Sequence, residues 1–366
     1  MAAPLRVGML GTRGIARNHM TPYLTHSDQV QMTAVCDMVE PLAREYAQDA
    51  GVEDVYTDFD DMLANADIDA VDICTNHAAH APCTIAAVRA GKHVLVEKAM
   101  ANTLQACRDM VEAADKAGVT LMIAHQLRHS REANAVKRFI DEGHLGEIQA
   151  VRTHVTMGGP KRGWMCDAEP GGGVLQLNSI HHIDLLRYYV GNVKRVMGVC
   201  KSSQSHMVNG AEDLVAATLE LESGAIGGLF ASWTTEMTPE RAAYLLFGTK
   251  GTVHSTPPYN PRSRESPTSH FGTVMHALKN PDENLDRRND ADLQRLRHPP
   301  FDVLPTREAD QPTVNLFVNE VLHFAECCRT GREPTSSGRD NIESMKVVFA
   351  IYESSRTGKA VDLADL

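Results

Sequence analysis

Leu5-Arg6-Val7-Gly8-Met9-Leu10-Gly11-Thr12-Arg13-Gly14-Ile15-Ala16 is the stretch that decides the fold. An apolar run from Leu5 to Leu10 meets a glycine turn, and a helical pattern follows over about 14–24. Backbone N–H groups at a helix N-terminus, with the helix dipole behind them, favour an anionic pyrophosphate. Gly11 suits the tight turn, and Ala16 lets helix and strand pack closely. Arg13 stands where a second glycine would let the pyrophosphate approach the backbone. Gly14 can supply that approach in a shifted turn, and Arg13 can itself reach a phosphate. Gly11, Thr12, Arg13, Gly14 and Ile15 are therefore the candidate phosphate cradle. The competing reading is a strand-to-helix turn that holds no ligand.

A second apolar run, Val30 to Cys36, ends at Asp37. A carboxylate there can accept hydrogen bonds from adenosine ribose hydroxyls and repels a 2′-phosphate, which favours NAD over NADP. Capping of the next helix is the alternative for Asp37. Helical patterns over 39–50, 81–90 and 103–117 alternate with strand-like runs at 70–74, 93–96 and 120–124. That alternation implies parallel βαβ units, and apolar runs without period-two alternation suit strands buried on both faces. After about residue 124 the pattern changes. Strands over 149–156, 193–201, 214–221, 225–235 and 242–247 follow with few helices between them, as in an antiparallel or mixed sheet. A helix is predicted over 174–190 and closing helices over 315–329 and 339–356. The Pro-, Asn-, Asp- and Arg-rich stretch at about 255–312 reads as an irregular arm or lid. The expected organisation is α/β throughout: a doubly wound parallel sheet in residues 1–124, and an α/β domain with an open, mostly antiparallel or mixed sheet in 125–366.

Composition narrows the function. The 366 residues are 43% hydrophobic and 23% charged, as in an ordinary globular protein. A net charge of −11 argues against a nucleic-acid partner, which needs a basic face. No apolar run reaches the roughly 18 residues of a membrane span, and no signal-peptide pattern is visible. The eight cysteines are scattered without a CxxC pair, which points to a reducing cytoplasm and away from a cysteine zinc site.

Four further segments are specific: Thr75-Asn76-His77-Ala78-Ala79-His80; Ala90-Gly91-Lys92-His93-Val94-Leu95-Val96-Glu97-Lys98-Ala99; Gly171-Gly172-Gly173 with His181-His182-Ile183-Asp184; and Tyr352 to Lys359. Together with the opening loop they resemble the Gfo/Idh/MocA oxidoreductases, the family of glucose–fructose oxidoreductase and inositol dehydrogenase. The resemblance implies a Rossmann domain, a C-terminal α/β domain that often forms an oligomer interface, and hydride transfer between a nicotinamide and a sugar, cyclitol or related polyol. A homodimer or homotetramer is expected on the same ground.

The resemblance places Thr75, Asn76 and His80 beside the cofactor. Glu97 and Lys98 match the family's Glu-Lys-Pro, with Lys98 near nicotinamide and substrate. Ala99 replaces the proline, which frees φ and permits a trans-only peptide bond. Trp164 matches a cofactor-reaching tryptophan, although Met165 replaces the arginine after it. His181 matches the active-site histidine, but Leu177 stands where an aspartate often lies one turn earlier. Gln176 and Asn178 flank that position, and Asp184 follows His181 on its helix face. Arg128 resembles a junction arginine, with structural pairing and substrate contact both open. Asn178 and His182 complete the candidate substrate set. His77, His125 and His129 lack ligand spacing, so no metal is expected.

Oxidising an alcohol requires a proton acceptor as well as a hydride acceptor. Histidine titrates near neutrality, whereas a lysine base needs burial or nearby positive charge. His181 is therefore assigned as main acid/base, with Lys98 polarising the reacting oxygen and sharing the proton. Two alternatives stay open: an NAD-retaining enzyme that cleaves or epimerises a glycoside by transient oxidation, and an inactive dinucleotide-binding regulator.

Overall fold

The computed structural model describes residues 3–234, 242–256, 272–278, 301–305 and 315–366. Six strands make the first sheet: β1 (Leu5–Leu10), β2 (Val30–Cys36), β3 (Asp54–Tyr56), β4 (Ala70–Ile73), β5 (His93–Glu97) and β6 (Leu121–Ala124). All pair in parallel, in the order β3-β2-β1-β4-β5-β6. The chain crosses over through α1 (Ala16–Thr25), α2 (Glu40–Ala50), α3 (Phe59–Asn65), α4 (His77–Arg89) and α5 (Leu104–Ala117). Strand order reverses between β1 and β4, which opens a crevice beyond the strand C-termini. The glycine loop after β1 and Thr75 after β4 both lie at that point.

Local chemistry sets the helix ends. The side chains of Asn76 and Thr103 accept from the N–H of Ala79 and Ala106, capping α4 and α5. Gly51 and Gly118 close α2 and α5 in the left-handed conformation. The short elements β3 and α3 carry too few residues to show a period and are absent from the sequence reading. Helix α4 starts four residues earlier than its apolar pattern, because Asn76 caps it there, and Pro82 does not end it.

The second sheet has nine strands: β7 (Ile148–Thr156), β8 (Val193–Lys201), β9 (Leu214–Leu221), β10 (Ile226–Ser232), β11 (Ala242–Gly248), β12 (Gly251–Thr256), β13 (Gly272–Leu278), β14 (Phe301–Pro305) and β15 (Val361–Asp362). Their order is β14-β13-β12-β11-β7-β10-β9-β8-β15, antiparallel except for the parallel β7–β10 pair. The sheet is therefore mixed. The expected arm is corrected in part: β12, β13 and β14 extend the sheet edge, and residues 257–271, 279–300 and 306–312 lie outside the described residues.

Among the described residues four helices accompany this sheet: α6 (Arg131–Asp141), α7 (Ile180–Val190), α8 (Leu316–Thr330) and α9 (Gly338–Thr357). Helix α9 packs on β8 and reaches α5 and α7. Helix α8 returns to the first sheet and packs on α1, with Val321, Phe324 and Ala325 joining the apolar cluster of Val7, Met9, Val30 and Val35. Among the described residues no helix is long and apolar enough to cross a membrane.

Candidate active site

The crevice begins at the glycine loop. Gly11 has φ +86°, and a Cβ there would lie 2.8 Å from the Cys74 carbonyl oxygen, so only glycine fits between β1 and β4. A Cβ on Gly14 would meet nothing within 4 Å, and Arg13 is exposed. Helix α1 has Ile15 at its N-cap and no capping side chain. The N–H groups of Ala16 to His19 donate to the carbonyls of Arg13, Gly14 and Ile15, and the turn they close at the helix N-terminus fits an anionic diphosphate. Asp37 Oδ2 accepts from the Thr12 N–H (3.1 Å) and hydroxyl (2.8 Å), while Oδ1 accepts from the Val39 N–H (3.0 Å). Asp37 therefore holds the loop, with its carboxylate at the end of β2. The capping alternative is corrected: helix α2 has Val39 at its N-cap and no side-chain cap hydrogen bond.

Behind the crevice lies a buried ion network. Lys98 follows β5, and its Nζ lies 3.7 Å from Glu97 Oε2, whose oxygen also accepts from the Lys98 N–H at 3.1 Å. The His19 ring on α1 lies between two carboxylates, with Nε2 3.1 Å from Glu97 Oε1 and Nδ1 2.9 Å from Asp72 Oδ2. Tyr23 donates to the same Asp72 oxygen at 2.8 Å. Burial opposes a charged imidazole, but Asp72 outweighs it and His19 is raised well above the ordinary histidine range. A doubly protonated ring can donate to both neighbours. Burial would raise Glu97, yet the Lys98 and His19 charges outweigh it and hold the carboxyl down at about 2. Glu320 on α8 is 0% exposed and its carboxyl oxygens have no hydrogen-bond partner among the described residues. Burial raises it well above the carboxylate range.

The Lys98–Ala99 peptide is cis, which corrects the trans-only expectation. Ala99 is held by two histidines one turn apart on α4. Its N–H donates to His77 Nε2 at 3.0 Å, and its carbonyl faces His80 Nδ1 at 2.8 Å. The His80 ring is 0% exposed, and its Nε2 lies 3.2 Å from the Thr75 carbonyl. It offers no surface to a cofactor, so the contact expected of His80 is corrected to support of the loop. Asn76 uses Oδ1 to cap α4. Trp164, half-buried, meets the His77 ring edge-on at 5.1 Å.

The third wall comes from the second half of the chain. The helix expected over 174–190 begins as a π-helical turn, Leu175–Ser179, before α7. Lys98 Nζ donates to the Leu177 carbonyl at 3.5 Å, so a backbone oxygen meets the lysine at the position where no aspartate is present. Asn178 accepts from Trp233 Nε1 at 2.8 Å. His181 is half-buried one turn further on, with its ring edge-on to His125 at 6.2 Å, and His182 is buried. Asp184 is held by Arg128, whose Nε and Nη2 donate to its two oxygens at 2.6 Å each. Arg128 also reaches Asp340 at 2.7 Å and the Thr335 carbonyl. Its donors are engaged within the protein and it is 5% exposed, so the substrate contact considered for Arg128 gives way to the structural pairing.

The sequence reading brought Glu97, Lys98, Asn178 and His181 toward one place and missed His19, Asp72 and Glu320. Asp72 carried a readable signal, a charge inside the apolar run Ala70-Val71-Asp72-Ile73. His19 and Glu320 carried none, since their partners lie on other elements. His19, Asp72 and Cys74 also bring potential ligand atoms within 4.8 Å of one another, but the ring and the carboxylate already bind each other.

The chain matches known proteins over nearly its whole length. The description “Oxidoreductase family, NAD-binding Rossmann fold” fits residues 5–125, and “Oxidoreductase family, C-terminal alpha/beta domain” fits residues 137–363. The chain belongs to the Gfo/Idh/MocA oxidoreductase family. Among Gfo/Idh/MocA relatives, it is 27% identical to 1,5-anhydro-D-fructose reductase of Ensifer adhaerens, over 98% of each chain. It is 25% identical to D-xylose 1-dehydrogenase [NADP(+)] of Haloarcula marismortui, over 98% of this chain and 93% of the relative. The structure of aldose-aldose oxidoreductase from Caulobacter crescentus, complexed with glycerol, superposes with TM-score 0.80 at 26% identity, covering 98% of this chain and 99% of that one. This Gfo/Idh/MocA member is thus an oxidoreductase that uses a nicotinamide dinucleotide.

Proposed function

We propose that the chain moves a hydride between NAD(H) and a hydroxyl or carbonyl carbon of a sugar, cyclitol or related polyol. The observation that carries this reading is the position of Lys98. Its ammonium projects from the first sheet, bonds the carbonyl of Leu177 on the turn that leads to His181, and is backed by the Glu97 carboxylate. The nicotinamide, when bound, supplies hydride acceptance or donation. Lys98 orients and polarises the reacting oxygen, and His181 takes or returns the proton. Thr75, Asn76 and Trp164 line the cofactor side, and Asn178 and His182 the substrate side. Relatives named for 1,5-anhydro-D-fructose, D-xylose and aldoses define the first panel to assay, with inositols added. Lys98→Met is expected to lower kcat by about 100-fold or more with NAD binding retained. His181→Ala is expected to lower kcat by about 100-fold, the order that loss of a general acid–base produces. Full turnover by Lys98→Met removes that residue from the chemistry, and wild-type kinetics in His181→Ala removes the histidine.

NAD rather than NADP is the cofactor in this reading, because Asp37 would face a 2′-phosphate. Asp37→Ser is expected to raise the NADP-to-NAD preference by about tenfold or more, read as the ratio of kcat/KM values. An unchanged ratio contradicts the assignment. The cytoplasm is the compartment, supported by eight unpaired cysteines. The oligomer forms through the second sheet, supported by its exposed apolar face: Met197, Val199, Ile226, Phe230 and Phe247 are all exposed there.

A further inference from the structure

We propose that His77 is a positioning residue that ties the Lys98–Ala99 turn to the glycine loop at 171–173, and so sets Lys98 against the helix that carries His181. This rests on the reading of Lys98 given above. The starting observation is the Ala99 N–H. It is buried, and a buried N–H without a partner costs stability and order. The His77 Nε2 receives it at 3.0 Å. A backbone N–H can only donate, so Nε2 is unprotonated, and the ring proton lies on Nδ1. That proton points to the Gly171 carbonyl at 2.7 Å. One tautomer satisfies both ends, and the imidazole is neutral. Burial first, then the His80 and Lys98 charges, keep it so.

The ring is 1% exposed. A Cβ on Gly171, whose φ is +94°, would lie 2.7 Å from His77 Cβ and 2.9 Å from Nδ1. Glycine at 171 is what lets the loop come this close. The Ala78 N–H donates to the Pro170 carbonyl at 3.2 Å, so the first turn of α4 meets the loop twice. The loop runs on into the π-helical turn, whose Leu177 carbonyl receives Lys98 Nζ. His77 therefore closes a ring of contacts: Lys98 to Leu177, back through the loop to Gly171, through His77 to Ala99, and across one peptide to Lys98. Removing its two hydrogen bonds opens that ring at the histidine. It leaves the glycine cradle around Gly11 and Gly14 untouched.

The test is a double-substitution cycle on the full chain, with His77→Leu, Ala99→Pro and the pair, beside His77→Gln and Lys98→Met. Proline has no N–H, so Ala99→Pro removes the donor that His77→Leu would strand. Turnover is read with the panel sugar that the wild-type protein uses fastest, NAD⁺ affinity by calorimetry, and unfolding by its thermal midpoint. His77→Leu is expected to lower kcat by about 100-fold, the order that a misplacement of about 1 Å produces. The NAD⁺ Kd should stay within about threefold, because only the catalytic alignment changes. Ala99→Pro should recover about tenfold of the His77→Leu loss, a departure from additivity expected of contacting residues. His77→Gln, with one acceptor and one donor on a flat amide, should keep most of the turnover even if His77→Leu folds poorly. Wild-type kcat in His77→Leu, additive losses in both kcat and midpoint, or a His77→Gln as impaired as His77→Leu would overturn the proposal. Full turnover by Lys98→Met, or no turnover of any panel sugar, would instead remove the reading of Lys98, and the midpoint cycle would still measure the His77–Ala99 link.

Discussion

His19 and Glu320 show how much of this site is decided by single buried groups. Glu97 is depressed in the fold, so its ionised form stabilises the protein above the usual carboxylate range near 4.5, and that stabilisation is lost as pH falls toward about 2. Glu97→Gln should therefore be less stable than the wild type at neutral pH, with the gap narrowing across that acidic window in urea midpoints measured against pH. A constant gap would mean that the charge of Glu97 contributes nothing. Glu320 has the opposite sign. Its folded value is raised, so the wild type loses stability as pH rises above about 4.5, where the unfolded carboxyl ionises and the folded one does not. Glu320→Gln should gain on the wild type steadily as pH increases from that point, and an advantage independent of pH would contradict this. At this scale the sequence was legible where chemistry is local. Lys98, Glu97 and Asp37 follow strands whose apolar runs mark them, whereas His19 is identified only when α1 brings it between Asp72 on β4 and Glu97 on β5.

Helix α7 joins the catalytic seam to the body of the second domain. Asp184, one turn beyond His181, is fixed by Arg128, which also binds Asp340, itself paired with Arg187 at 3.0 Å. Breaking a buried pair strands a charge, so Arg128→Ala should cost about 3–5 kcal/mol in unfolding free energy. A raised substrate KM with unchanged stability would instead place Arg128 at the substrate. The strands of β2, β8 and β9 could be read to the residue because their apolar pattern and flanking turns agree. Helix α6 and the π-helical turn could not, since a π-helical turn has the same apolar residues as the α-helix it precedes and differs only in hydrogen bonding. The start of α4 was hidden for a related reason: His77 and His80 break the apolar pattern, and both are buried by contacts to Ala99 and Gly171 that lie far along the chain.

Across the whole molecule, one face of the strands β8, β9 and β10 is left to solvent. The register aligns Val199 with Ala216 and Phe230, and Met197 with Thr218, so these exposed side chains form continuous rows. In the proposed oligomer this apolar face is the surface of association. Val199→Glu with Phe230→Glu should turn an oligomer into a monomer in light scattering, and an unchanged mass would move the interface elsewhere. The succession of strands with few helices between them made an antiparallel or mixed sheet readable, but the addition of β12, β13 and β14 to its edge depended on pairings between distant segments that no local pattern carries. The central claim is hydride transfer to a nicotinamide at Lys98, and the most direct test follows the hydrogen. A panel of carbon-deuterated sugars and inositols is incubated with NAD⁺ and the label in the nicotinamide is measured by mass spectrometry. Deuterium should reach the nicotinamide ring with the wild-type protein and do so about 100-fold more slowly with Lys98→Met. Bound NAD⁺ that never acquires the label, or equal transfer by Lys98→Met, would contradict the account.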